Sequence, residues 1–129
     1  MKKISAIIIA VILSVFQLNA QNTFSGKAEF DQTVVDFGTI TVNDPPQTAV
    51  FTVKNVGSDP LTILSAISSC GCTGVSWTRE TLQPGEKGVV EATYANQDGP
   101  FPFDKTVTVY LSDIKKPVKL HLKGKVVKQ

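Results

Sequence analysis

The sequence predicts an all-β chain, a β-sandwich of seven to eight strands behind a cleaved signal peptide. Three observations lead there. Beyond the first twenty residues, apolar side chains recur with a period near two in short runs. Those runs are broken by Gly, Pro, Asn and Asp, the residues that build turns. No stretch keeps a helical i, i+3, i+4, i+7 stripe for three turns.

The first segment reads as an address. Lys2 and Lys3 precede an apolar run from Ile4 to Leu18, 15 residues long, short of the roughly 20 that a stable membrane-crossing helix needs. The run ends at Leu18-Asn19-Ala20-Gln21, so cleavage is expected between Ala20 and Gln21. No Cys follows directly, which argues against a lipoprotein anchor. The expected product is exported to the periplasm, cell envelope or extracellular space, with no stable membrane span after cleavage. The division is then 1–20 signal, 21–33 lead-in and 34–127 domain.

Strands are expected near 28–30, 34–37, 49–55, 61–68, 75–77, 88–94, 106–111 and 118–126. In the third of these, Phe51 and Val53 alternate with Val50, Thr52 and Lys54, so one side can enter a core while the other meets water. Asn55-Val56-Gly57-Ser58-Asp59-Pro60 reads as an inter-strand link, and Pro84-Gly85 has the order a type II turn requires. Asp98-Gly99-Pro100-Phe101-Pro102 reads as a break, because prolines do not fit a central strand.

Charge excludes one broad class. The whole chain carries 13 basic and 11 acidic residues, but residues 1–20 hold two of the basic ones and no acid, leaving 11 of each. A neutral product does not suit nucleic-acid binding by global positive charge. The charge is segregated, with four basic and ten acidic residues in 21–104 against seven basic and one acidic in 105–129. In the last strand Lys119, His121 and Lys123 alternate with Val118, Leu120 and Leu122. That row is a solvated face, which also discourages unwanted sheet pairing, or else a patch for an anionic surface or glycan.

Cys70 and Cys72, separated by Gly71, are the distinctive chemistry. A bond between them cannot pin two sheets together as a long-range disulfide does. It would close a tiny ring with a bend at Gly71, a geometry expected to make it easier to reduce. Three readings stand: a stiffened loop, a redox pair, and two thiolates holding Cu(I) or Zn. The redox reading lacks the Cys-x-x-Cys spacing at a helix start, and a closed zinc site lacks ligands, His121 being the only histidine. No cofactor and no catalytic residue is expected, since no phosphate-cradling loop or His-Glu-x-x-His occurs. Trp77 is expected as a core residue covering the cysteines, or else as the edge of a glycan-binding groove. Phe101 and Phe103 are expected at one core edge or, if exposed, in a partner contact.

Six segments taken in order resemble the DUF1573 family of exported bacterial proteins. They are Asp36-Phe37-Gly38-Thr39-Ile40, Phe51-Thr52-Val53-Lys54-Asn55-Val56-Gly57, Leu61-Thr62-Ile63, Ser69-Cys70-Gly71-Cys72-Thr73, Pro84-Gly85-Glu86-Lys87-Gly88 and Leu122-Lys123-Gly124-Lys125-Val126. The resemblance runs from about Asp36 to Val126. The end of the signal segment looks like those common in Bacteroidetes. The resemblance implies an immunoglobulin-like antiparallel β-sandwich and no established reaction. The expected function is a non-enzymatic binding or structural module with an envelope protein or polymer as partner. The contrasting expectation is a thiol-redox or Cu(I)-binding protein acting through Cys70 and Cys72.

Overall fold

The structure, a computed structural model, describes residues 22–96 and 99–128. The expected signal segment and the expected cleavage site at Ala20-Gln21 lie outside the described residues, as does Asp98 of the proline-rich break. The elements among the described residues are strands: β1 (Thr23–Phe24), β2 (Ala28–Phe30), β3 (Val34–Thr41), β4 (Gln47–Asn55), β5 (Ile63–Ser68), β6 (Thr73–Trp77), β7 (Lys87–Tyr94), β8 (Pro102–Leu111) and β9 (Val118–Val127). They form two sheets, one in the order β1-β2-β4-β7-β6 and the other in the order β3-β9-β8-β5.

The core follows from period-two alternation. Ala49, Phe51, Val53 and Asn55 of β4 are buried while Val50 and Lys54 are exposed. On β9 the buried set is Val118, Leu120, Leu122 and Val126, with Lys119 and Lys123 outside. Val90, Ala92 and Tyr94 from the first sheet join Val107 and Val109 from the second in the same cluster. Burying a Val, Leu or Phe side chain contributes about 1.5–3 kcal/mol, so these inward rows are the main source of stability.

Three features differ from the sequence expectation. The sheets are not antiparallel throughout, because β3 runs parallel to β9, with Val34 opposite His121 and Ile40 opposite Val126. Period-two alternation marks which face is buried but not which way the partner runs. A parallel pair needs a long crossover, here all the chain between β3 and β9. Second, β1 adds a strand of the first sheet ahead of the one expected at 28–30; that expected strand, β2, pairs with β4 and sends Ala28 and Phe30 into the core. Third, β8 starts at Pro102 rather than near Thr106. Pro102 is the strand's first residue, a position that tolerates a missing N–H donor.

The turns behave as their residues require. Glu86 N–H donates to Gln83 O at 2.9 Å across Pro84-Gly85, and Gly85 takes a φ of 88°, as a type II turn demands. The link after β4 passes to the other sheet, and buried Asn55 organises it. Its Nδ2 donates to Asp59 O at 2.8 Å and to Leu82 O at 2.9 Å, while its Oδ1 accepts from Gly57 N–H at 3.0 Å.

Candidate functional site

Cys70 and Cys72 lie where the chain leaves β5, an edge of the second sheet, and enters β6, an edge of the first. They are bonded to one another, with S–S 2.01 Å and Cα–Cα 5.2 Å. The corner is tied to both sheets. Ser69 N–H donates to Thr106 O at 2.8 Å, and Thr106 N–H returns to Ser69 Oγ at 3.1 Å, joining the loop to β8. On the other side Ala95 N–H donates to Cys72 O at 3.1 Å, joining it to the end of β7. Within the loop Cys72 N–H points at Cys70 Sγ, 3.1 Å away, and Thr73 N–H donates to Cys70 O at 3.2 Å. Both cysteines are half-buried.

Lys119, His121 and Lys123 project from β9 onto the outer face of the second sheet, and the strand register sorts them. Lys123 lies between Asp104 of β8 and Asp36 of β3, so opposite charges flank it. His121 Nδ1 meets Asp104 Oδ1 at 2.9 Å. Lys119 lies in a row with Thr108 of β8 and Ile67 of β5. It has no ion-pair or hydrogen-bond partner among the described residues.

Around that row lies an exposed apolar group that local sequence does not reveal. Ile67 is 58% exposed, Leu64 60% and Tyr110 42%, on the adjoining strands β5 and β8. In sequence, Ile63-Leu64-Ser65-Ala66-Ile67 reads as a core run. The register shift between Ile63 and Ser65 is what turns Ile67 outward, since a one-residue slip exchanges the faces of a strand. The alternation of Thr106, Thr108 and Tyr110 with Val107 and Val109 was the legible signal.

The aromatic candidates separate. Trp77 ends β6 opposite Val90, five residues from Cys72, or about 16 Å along an extended chain. It packs against the core, as expected, but at that distance does not cover the cysteines. Its ring instead carries the Arg79 guanidinium 4.1 Å from the centroid, which occupies the face a sugar would need. Phe103 and Phe101 do not share a core edge. Phe103 is buried and stacks on Tyr94 with centroids 4.1 Å apart, so it joins the two sheets rather than forming a binding surface. Phe101 is 63% exposed.

A profile of the family described as "Protein of unknown function (DUF1573)" matches residues 28–126. The chain belongs to the DUF1573 family. Comparison with curated proteins gives no match. Solved structures similar to this DUF1573 chain include a protein of unknown function from Porphyromonas gingivalis W83, with TM-score 0.66 and 16% identity over 83% of this chain and 51% of that one. The VesB protease of Vibrio cholerae gives TM-score 0.59 at 19% identity, over 87% of this chain and 34% of that one. A family 123 glycoside hydrolase from Clostridium perfringens gives 0.60 at 9%, over 77% and 23%. The DUF1573 chain thus spans about half the first of these proteins and about a third or less of the others. At these identities the likeness shows the fold alone.

Proposed function

We propose that this DUF1573 protein is an exported, non-enzymatic immunoglobulin-like module of the bacterial periplasm or cell envelope that binds a protein or envelope polymer. The binding surface in this reading is the outer face of the β3-β9-β8-β5 sheet. The observation that carries it is the exposure of Leu64, Ile67 and Tyr110 together on β5 and β8, when a core of both sheets is already filled without them. Grouped apolar side chains with a polar rim are the usual mark of an interaction surface. In the same reading the Cys70–Cys72 bond fastens the corner between the sheets and carries no electrons.

The test is photo-crosslinking in producing cells. A photoreactive residue in place of Ile67 is expected to yield discrete adducts. The same residue at Val50, exposed on the outer face of the other sheet, is expected to yield none. Identical patterns at the two positions, or none at Ile67, would refute the proposal.

A further inference from the structure

The outer face of the second sheet dips over β8, between β5 and β9. Thr108, a short side chain, forms the floor; Ile67 stands beside it on β5 and Lys119 on β9. Thr106 and Tyr110 close the two ends, each two positions away along β8 and so on the same face. Together with Ser68 and Ser69 these residues line a recess of about 380 Å³, within the range of small-molecule sites.

We propose that this recess holds a carboxylate-bearing sugar unit of an acidic polysaccharide, an inference that rests on reading this face as the binding surface. Three observations select that chemistry. The recess lies over β8, which pairs with β5 on one side and β9 on the other. Its main chain is committed to the sheet, so an extended peptide finds no ladder to join there and recognition falls to side chains. Those side chains are the aromatic wall of Tyr110, the aliphatic wall of Ile67 and the threonine hydroxyls, a set that fits the apolar face and hydroxyls of a sugar ring. The charge is one-sided: Lys119 is unpartnered among the described residues, and no carboxylate lines the recess. The nearest acid on this face, Asp104, is engaged by His121 one row away. An anionic group on the sugar completes the ammonium.

The test is an NMR titration of the ¹⁵N-labelled protein with trigalacturonate, and in parallel with its methyl ester, which keeps the rings and loses the charge. Trigalacturonate is expected to shift the amide resonances of Ile67, Thr106, Thr108, Tyr110 and Lys119. Lys119→Gln should weaken trigalacturonate about tenfold, the scale of one charge-assisted hydrogen bond, and leave the methyl ester unchanged. Tyr110→Ala should abolish both. Both side chains are exposed, so the variants are expected to keep the dispersed spectrum of the folded protein. An unperturbed spectrum overturns the proposal. So do shifts that spread over Lys115, Lys116, Lys123 and Lys125 and persist in Lys119→Gln, the mark of loose polyelectrolyte attraction. A silent titration alongside adducts from position 67 removes the sugar and leaves the binding face; silence in both removes both.

Discussion

The ring of Phe103 lies against the backbone of Gly124, its partner across β8 and β9. A β-carbon at position 124 would stand 2.8 Å from Phe103 Cζ and 3.0 Å from Gly38 O. The glycine is what lets the ring reach Tyr94 on the opposite sheet, 4.1 Å away. Gly124→Ala is therefore expected to cost about 1–3 kcal/mol through overpacking, and Phe103→Ala about 3–5 kcal/mol. Equilibrium urea unfolding measures both. In a Phe103→Leu background the cost of Gly124→Ala should shrink, because neighbours that clash are coupled. Fully additive effects would show that the ring does not enforce the glycine.

Phe101, two residues away and exposed, gives the opposite expectation. Phe101→Ser should leave the unfolding free energy within about 0.5 kcal/mol of the parent, as for surface positions generally. A loss comparable to that of Phe103→Ala would mean that Phe101 is covered in solution.

Asn55 satisfies two carbonyls and one N–H at once. Asn55→Ala removes all three bonds, leaving Asp59 O and Gly57 N–H without this partner while Leu82 O keeps the Leu61 N–H, and is expected to cost about 2–4 kcal/mol. Asn55→Asp keeps the shape but sets a carboxylate against the Asp59 and Leu82 carbonyl oxygens, which favours its protonated form in the folded state. The folded carboxyl pKa of that variant then exceeds the unfolded one, so its stability falls as pH rises through this interval and is regained in acid. A denaturation series from pH 4 to pH 8 separates it from the parent; parallel profiles would contradict the hydrogen-bond assignment.

Closing a ring of so few residues restricts the unfolded chain only slightly, and the chain-entropy model gives about 1–2 kcal/mol. The Cys70→Ser, Cys72→Ser double variant is accordingly expected to remain folded and to lose that amount. Treatment of the parent with dithiothreitol should produce the same loss in its denaturation midpoint. Outright unfolding of the double variant would assign the bond a far larger role than fastening one corner.

Arg79 shields one face of Trp77. Arg79→Ala should shift the emission of this, the chain's only tryptophan, and cost no more than about 1 kcal/mol. Unchanged emission would show that the guanidinium is not held over the ring.

Much of the fold was legible because its signals are local. The alternation in β4 and β9, the Pro84-Gly85 turn and the link after Asn55 each depend on residues within a few positions of one another. The candidate surface was legible only in part. Lys119, His121 and Lys123 were visible as an outward row, but their differences were not, since Asp36 and Asp104 flank Lys123 and Asp104 alone pairs with His121, contacts made across strands. Ile67 was hidden by a register shift, which composition does not display. Phe101 and Phe103 share the parity of one strand face, but Phe101 precedes β8 and so does not follow its alternation.

Residue order alone dictates an all-β chain of this family, the inward and outward faces of most strands, and two cysteines too close in sequence to pin the sheets. Tertiary structure decided the parallel pairing of β3 with β9, the corner held by Cys70 and Cys72, the stack of Tyr94 on Phe103, and the recess around Thr108. The reason is physical. Alternation and turn chemistry are properties of neighbouring residues, whereas strand order and register decide which distant side chains share a row, and a recognition surface is made of such rows.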